Sequence, residues 1–177
     1  MAKFLILDRD GTINEDRGYV YRIEEMVILP GVVEGLRKFR DAGWKFIVIT
    51  NQAGIARKFY TLNDMHRFHR HMRGVLGENG IDIEAFQYCP HHPDITGNCQ
   101  CRKPKTYLAL ETAQRFGFKL EDCIFIGDKD SDIQLGLNCG GITVLIENRQ
   151  YPSQIKPHFK AKDIIQAFEL LKTANLI

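Results

Sequence analysis

Two aspartates one residue apart, Asp8 and Asp10, follow directly on the apolar run at residues 4–7. Such a run needs burial, so the carboxylates are expected where a buried strand ends, at the sheet edge where open α/β folds hold ligands. Neighbouring anions raise each other's pKa unless a cation lies between them or one of them keeps its proton. The pair therefore favours a divalent metal site with acid and base chemistry. A solvated turn in which Gly11 takes a positive φ is the alternative.

Further polar residues stand in comparable places. Thr50 ends the apolar run at residues 46–49, Asp128 follows the run at residues 123–126, and Lys103 lies in a loop before a predicted helix. Carboxylates, a hydroxyl and an ammonium group around one point suit phosphoryl transfer, because the moving group carries negative charge that needs cations and donors. The chain contains neither the glycine-rich dinucleotide fingerprint nor the phosphate-binding loop of nucleoside triphosphatases.

A second group of candidate ligands lies in residues 89–103, which we call the zinc loop. Its Cys-x-His and Cys-x-Cys pairs offer three thiolates and one imidazole, which fill a tetrahedral Zn²⁺ shell without an open position. The predicted ligands are Cys89, His91, Cys99 and Cys101, with His92 as an alternative to His91. So short a loop buries too little apolar surface to hold one shape, so the ion is expected to be structural. Reduced cysteines without a metal are the other interpretation.

The elements that must position these groups alternate along the chain. Apolar runs of strand type are separated by stretches whose apolar residues recur at helical spacing. The predicted strands are residues 4–7, 46–49, 86–88, 123–126 and 142–146, and the predicted helices are residues 32–42, 62–76, 107–116, 132–138 and, after a loop at 152–157, a last one near 164–171. This order predicts a three-layer α/β/α, Rossmann-like parallel sheet.

Two segments interrupt the alternation, the zinc loop and residues 13–30, which we call the flap. Each follows the carboxyl end of a predicted strand and should overhang the site. We therefore expect a single domain, residues 1–177, with a minimal cap. We interpret the basic residues of the second helix as a solvated face without a function. They are His66, Arg67, His69, Arg70, His71 and Arg73.

Charge, apolar runs and cysteine content indicate which classes of protein this sequence does not resemble. The 177 residues carry 24 Lys and Arg against 22 Asp and Glu, and this net charge of +2 does not predict a nucleic-acid or membrane partner. No apolar run approaches the roughly 20 residues of a membrane span. The five cysteines are odd in number and clustered, unlike a disulfide framework. We expect a cytoplasmic, monomeric protein with a small anionic substrate.

The polar stretches resemble, in order, the four motifs of the haloacid dehalogenase phosphatase superfamily. The motifs are residues 8–12, Thr50, Lys103, and Asp128 with Asp132. The resemblance implies that Asp8 is the nucleophile and forms an aspartyl-phosphate. It implies that Asp10 is the general acid and base.

The same resemblance implies how the phosphoryl group and the catalytic metal are held. Thr50 and Lys103 would bind phosphoryl oxygens. Mg²⁺ would be bound by the carboxylate of Asp8, the backbone carbonyl of Asp10 and the carboxylate of Asp128. Asp132 would support this set without binding the ion.

Within the superfamily, four stretches resemble the D-glycero-D-manno-heptose 1,7-bisphosphate phosphatases, with the histidinol phosphatases as close kin. These stretches are the zinc loop and residues 18–20, 50–57 and 101–104. The resemblance implies Mg²⁺-dependent removal of the C7 phosphate, giving heptose 1-phosphate for nucleotide-heptose and surface polysaccharide biosynthesis. The implied substrate contacts are Asp16, Arg17, Gly18, Tyr19, Asn51, Gln52, Ala53, Arg102 and Lys129.

The choice of substrate depends on cations near its distal end. Arg17, Arg102 and Lys129 favour a second phosphate over the amine and imidazole of a histidinol substrate. Ala53 and Lys58 depart from the heptose pattern, which usually has Ser and Gly there. Histidinol-phosphate phosphatase activity is the alternative enzyme function, and a binding module built on the zinc loop is the alternative without catalysis.

Overall fold

The computed structural model describes residues 3–147 and 152–177; residues 1–2 and 148–151 lie outside the described part. One sheet contains the strands β1 (Lys3–Leu7), β2 (Trp44–Asn51), β3 (Ile83–Cys89), β4 (Ile124–Gly127), β5 (Ile142–Ile146) and β6 (Phe159–Ala161). All the pairings are parallel, and the order is β3-β2-β1-β4-β5-β6. The chain thus runs outward from β1 through β2 and β3, then returns to place β4 on the other side of β1. A crevice forms at such a reversal of strand order.

Helices cover both faces of this sheet. They are α1 (Val32–Asp41), α2 (Leu62–Glu78), α3 (Pro93–Thr96), α4 (Tyr107–Phe116), α5 (Asp130–Asn138) and α6 (Ile164–Thr173), and 3₁₀ turns occupy Ile23–Glu25 and Leu120–Asp122. Side chains of β1 alternate between the faces: Leu5 and Leu7 pack with α1, α2 and α6, whereas Phe4 and Ile6 pack with α4 and α5. The predicted three-layer α/β/α architecture is therefore confirmed.

Element bounds differ from the prediction mainly at the sheet edges. The helix predicted at 107–116 and the strand predicted at 142–146 begin and end as expected. β3 is longer than the predicted 86–88, because an edge strand with half-buried residues has a weak apolar pattern. β6 was not predicted at all, since three residues are too few to show alternation. α5 begins at Asp130, two residues before the predicted start.

In helix α2 the prediction of a solvated basic face was wrong for one residue, His69, whereas Arg67, Arg70, His71 and Arg73 are exposed. It begins with a capping box between Thr61 and Asp64. His69 is buried, and its ring stacks on Phe86 with centroids 4.7 Å apart. The reason lies in the spacing: residue 69 follows Met65 by four positions and precedes Met72 by three, so it belongs to the buried stripe.

The two ends of the flap are joined to each other and to the turn after β1. Asn14 forms isolated β-bridges with Asp10 and with Ile28. Ile13 and Val20, which belong to the flap, are buried in the hydrophobic core. Across residues 3–147 and 152–177, every helix is too short or too polar to span a bilayer.

Candidate active site

The carboxyl ends of β1 and β2 and the loop after β4 surround a cavity of about 320 Å³. The flap and the zinc loop form its outer wall. The cavity is lined by Asp8, Asp10, Asp16, Gly18, Tyr19, Thr50, Asn51, Gln52, Ala53, Tyr60, His92, Arg102, Lys103, Lys129 and Ser131. Most of the residues predicted to bind substrate or act in catalysis therefore meet at one place.

A buried lysine joins two carboxylates at the floor of the cavity. Lys103 Nζ lies 2.7 Å from Asp8 Oδ1 and 2.6 Å from Asp132 Oδ1. It also donates to the carbonyl oxygen of Ile49 at 2.6 Å. Burial alone would lower the pKa of Lys103, but the carboxylates of Asp132 and Asp8 raise it above its usual value. Lys103 is consequently a fixed positive charge beside Asp8.

Asp132 reaches this lysine from the first turn of α5. Burial and the nearby Asp8 carboxylate raise the pKa of Asp132 to about 6, against the opposing effect of Lys103. Its Oδ2 accepts the backbone N–H of Lys129 at 3.1 Å. One carboxylate oxygen of Asp132 thus faces the ammonium group of Lys103, and the other accepts a backbone N–H.

A set of oxygen donors that fits Mg²⁺ lies next to this lysine. Asp8, Asp128 and Asp132 are buried, and each offers a carboxylate oxygen within 4.8 Å of the others. Because the two oxygens of Asp132 already face Lys103 Nζ and the backbone N–H of Lys129, Asp8 and Asp128 are the carboxylates that would hold the ion. Gly11 has φ of +88°, and a Cβ there would lie 2.2 Å from Asp128 Oδ2, so a side chain would displace this carboxylate. Hard oxygen ligands from carboxylates are those that Mg²⁺ prefers.

The Asp10 carboxylate is held by side chains on three sides. Oδ1 accepts from Arg9 Nε at 3.0 Å and from Asn14 Nδ2 at 2.9 Å. Oδ2 accepts from Arg9 Nη2 at 2.8 Å and from Gln52 Nε2 at 2.9 Å. Gln52 Nε2 also donates to Thr50 Oγ1 at 2.8 Å. Gln52 therefore links the two strand ends that carry Asp10 and Thr50.

Tyr60 completes this network from the segment before α2. Its hydroxyl donates to Gln52 Oε1 at 2.5 Å. Burial raises the pKa of Tyr60 well above its usual value, so the phenol keeps its proton and acts as a donor. Its ring stacks on Tyr21 of the flap with centroids 5.0 Å apart.

The flap contributes Asp16, Gly18 and Tyr19 to the cavity wall. Asp16 Oδ2 accepts from Lys129 Nζ at 2.8 Å. Burial opposes the charge on Lys129, but the carboxylates of Asp8 and Asp128 raise its pKa above the usual value. Arg17 is the one predicted substrate contact in the flap that does not line the cavity. It pairs with Glu15 at 2.6 Å, and 56% of its side chain is exposed.

The zinc loop brings its four predicted ligands together. Cys89 Sγ lies 3.5 Å from Cys99 Sγ and 3.1 Å from Cys101 Sγ, and His91 Nδ1 lies 3.2 Å from Cys101 Sγ. Ligand atoms of a tetrahedral zinc site with bonds of about 2.0 to 2.3 Å lie at comparable separations. His92 points elsewhere, with its Nε2 2.7 Å from Arg57 Nη2.

Hydrogen bonds from side chains to the backbone hold Lys103 and Arg102 at the end of the zinc loop. Asn51, at the end of β2, accepts the backbone N–H of Lys103 through Oδ1 at 3.0 Å and donates Nδ2 to its carbonyl oxygen at 3.3 Å. Arg102 Nη1 donates to the carbonyl oxygen of His91 at 3.3 Å. Lys103 is therefore held by the end of β2, and Arg102 by the backbone of a predicted zinc ligand.

Sequence reasoning missed several residues of this site. Tyr60, His92 and Ser131 line the cavity, and Arg9 is completely buried behind Asp10. Tyr60 stands in a bend before α2 with no periodic pattern to direct it, and Ser131 lies in the first turn of α5, one residue before the predicted start of that helix. Arg9 did offer a signal, because a cation directly between two aspartates can pair with either of them.

Comparison with known proteins agrees with this geometry. The family model of haloacid dehalogenase-like hydrolases matches residues 2–140. The chain is 40% identical over 146 residues to the D-glycero-beta-D-manno-heptose-1,7-bisphosphate 7-phosphatase of Pseudomonas putida, covering 82% of each chain. It is 37% identical over 174 residues to the D-glycero-alpha-D-manno-heptose-1,7-bisphosphate 7-phosphatase of Campylobacter jejuni, covering 92% of this chain and 99% of that one.

A solved structure gives the same result for the whole fold. The D,D-heptose 1,7-bisphosphate phosphatase from B. bronchiseptica, complexed with magnesium and phosphate, superposes with a TM-score of 0.87 at 28% identity, covering 97% of this chain and 99% of that chain. The range matched by the family model, residues 2–140, includes every residue that lines the cavity. The chain belongs to the haloacid dehalogenase-like hydrolase family.

Proposed function

We propose that this protein is a Mg²⁺-dependent phosphatase that removes the C7 phosphate of D-glycero-D-manno-heptose 1,7-bisphosphate through an aspartyl-phosphate on Asp8. The observation that carries the proposal is the buried contact of 2.7 Å between Asp8 Oδ1 and Lys103 Nζ at the floor of the cavity. It pairs a candidate nucleophile with a cation that can neutralise the phosphoryl group. The relatives that match the chain are named for this heptose substrate.

Asp8 and Asp10 divide the chemistry between them. A carboxylate oxygen of Asp8 attacks phosphorus while the bond to the sugar oxygen breaks, and Asp10 gives its proton to that departing oxygen. In the second half, Asp10 takes a proton from a water molecule, whose oxygen attacks the aspartyl-phosphate. Phosphate leaves, Asp8 is regenerated as a carboxylate, and Asp10 is protonated again.

The other residues of the floor hold the charge of the phosphoryl group. Lys103 and the hydroxyl of Thr50 would each donate to a phosphoryl oxygen. Asp8, Asp128 and the backbone carbonyl of Asp10 would hold Mg²⁺, and Asp132 would orient Lys103. When bound, the ion would neutralise negative charge on the phosphoryl oxygens and fix their direction.

The zinc loop would supply recognition of the second phosphate. Arg102 lines the cavity from this loop, and a guanidinium can bind a phosphate through two parallel hydrogen bonds. Asp16, Gly18, Tyr19, Asn51, Gln52, Ala53 and Lys129 line the remaining wall and would contact the sugar or its phosphates. Arg17 would contribute only long-range charge from its exposed position.

A direct comparison of substrates tests this function. We expect Mg²⁺-dependent release of one phosphate from heptose 1,7-bisphosphate, with kcat/KM at least about tenfold above that for histidinol phosphate, because each lost charged hydrogen bond costs about 1.5 to 3 kcal/mol. The Arg102→Ala variant should lose most of this preference while hydrolysing a sugar monophosphate at a nearly unchanged rate.

Arg115→Ala is a matched control, because Arg115 is an exposed residue of α4. It should leave both rates unchanged. Equal losses on bisphosphate and monophosphate in the Arg102 variant would contradict its distal role. Preference of the intact chain for histidinol phosphate would contradict the proposed substrate.

Zinc removal should act through the order of the loop. We propose that Cys89, His91, Cys99 and Cys101 bind one structural Zn²⁺, whose loss frees the loop from which Lys103 projects. Chelation, or the Cys99→Ala variant, should reduce activity by about tenfold or more even with Mg²⁺ in excess, and added zinc should restore the chelated enzyme. Elemental analysis with phosphate-release assays measures both effects.

Cys139 provides the control for this experiment. It lies outside the cluster, so Cys139→Ala should keep bound zinc and full activity. Full recovery of the chelated enzyme on Mg²⁺ alone would argue against a structural zinc.

A further inference from the structure

Arg9 is a buried cation that binds Asp10, the candidate general acid and base. Its side chain is completely buried. Nε and Nη2 donate to the two oxygens of Asp10 at 2.8 to 3.0 Å. The guanidinium carbon lies 4.6 Å from the centroid of the Phe68 ring. A guanidinium is a planar fork, so the orientation of its plane sets the orientation of the carboxylate that it binds.

The remaining nitrogen of this fork is directed at helix α2. Arg9 Nη1 lies 3.1 Å from His69 Nε2. Arginine has only donors, so His69 Nε2 must be the acceptor and the ring proton must be on Nδ1. Burial and the positive charge of Arg9 lower the pKa of His69 to about 2, which keeps the ring neutral and able to accept.

Arg9 also touches the flap. Nη2 donates to the carbonyl oxygen of Val20 at 2.8 Å. His69, Asp10 and Val20 thus hold the guanidinium in one plane from three different elements. A buried guanidinium that loses an acceptor at Nη1 would turn or shift to satisfy this donor, because an unsatisfied buried donor costs about 1 to 3 kcal/mol. Any such turn moves the hydrogen bonds that orient Asp10.

We propose that His69 is a positioning residue for the phosphatase reaction, holding Asp10 in place through Arg9. This inference rests on the proposed function only in assigning proton transfer to Asp10. It assigns an indirect role in the reaction to a histidine that lies 60 residues away from Arg9 in the chain.

The His69→Phe variant isolates the acceptor, since phenylalanine can keep the ring stack on Phe86 but cannot bind Nη1. We expect kcat for an alkyl phosphate to fall by about 10- to 100-fold with KM changed less than about threefold, because small misplacements of a catalytic group cost this much. For 4-nitrophenyl phosphate, the rate of the first turnover, in which 4-nitrophenolate is released, should fall by less than about threefold. Its leaving group departs without a proton, so that step needs no general acid.

The His69→Gln variant restores an acceptor near the position of Nε2. Its kcat should return to within about threefold of the original enzyme. His71→Phe is the matched control, because His71 is an exposed residue of the same helix. It should change neither reaction. Equal losses on both substrates in His69→Phe, no loss on either, or failure of His69→Gln to recover activity would overturn the proposal.

A measurement on the unaltered protein does not depend on how the variants fold. Nitrogen-15 chemical shifts should show His69 neutral with its proton on Nδ1 between about pH 5 and 8, the range in which an ordinary histidine titrates. A proton on Nε2 would contradict the proposal. If the chain hydrolyses other phosphate esters but not the heptose bisphosphate, the substrate assignment fails while this test of His69 stands.

Discussion

The Asp8→Asn variant is expected to lose at least about 10⁴-fold in kcat, because an amide cannot attack phosphorus to form the acyl phosphate. Asparagine has nearly the same shape and can still accept from Lys103, so the fold should survive. Binding of phosphate should survive too, which separates loss of the nucleophile from loss of the site.

Phosphate release measures the activity, and a rapid acid quench of the original enzyme tests the intermediate. We expect mass spectrometry to find phosphate on the peptide that contains Asp8, and none in the variant. Asp41→Asn is the control, since Asp41 is exposed and pairs with its neighbour Arg40 at 2.7 Å. An Asp8→Asn enzyme with more than about one hundredth of the original kcat would refute Asp8 as the nucleophile.

Replacing Lys103 with methionine is expected to impair both folding and catalysis. The lysine is buried between Asp8 and Asp132, and removing one partner of a buried ion pair typically costs about 3 to 5 kcal/mol. That is a large part of the roughly 5 to 15 kcal/mol by which a domain is stable. Loss of a donor to the phosphoryl group should lower kcat by a further factor of about 10² to 10³ in the folded fraction.

Urea denaturation and phosphate release separate these two effects. The charge of Lys103 opposes the rise in the pKa of Asp132, so in the variant that pKa should rise further above 6 and Asp132 should take up a proton near neutral pH. Lys119→Met is the control, because Lys119 is exposed and pairs with Glu121 at 3.3 Å. A Lys103 variant with unchanged stability and kcat would refute its role at the site.

The sequence predicted the parts of this site that follow from strand ends. Asp8 and Thr50 come directly after buried apolar runs, and parallel strands bring such positions to one edge. The contact between Asp8 and Lys103 could not be predicted in this way, because the local sequence does not indicate that the side chain of a loop residue is directed into the site. There the order of the four motifs supplied the prediction.

Side-chain direction explains most of what was missed. Arg17 was expected to contact substrate, but the turn of the flap directs it to Glu15. His69 was assigned to the solvent face with the other basic residues of α2, although its spacing from Met65 and Met72 places it on the buried stripe. β6 is too short to have a pattern of its own and becomes a strand by pairing with β5. Tertiary contacts decided the direction of Arg17 and the pairing of β6, and single-sequence periodicity does not contain them.

The separation of Asp8 and Lys103 along the chain has a kinetic consequence. The two residues are 95 positions apart, so their contact closes a long loop and requires β1, β2 and the zinc loop to be assembled first. An incompletely folded or nascent chain therefore has its reactive carboxylate without the ammonium group that serves it. Catalysis therefore becomes possible only after these separate segments have packed together, and partly made molecules lack the arrangement needed to hydrolyse the phosphate esters around them.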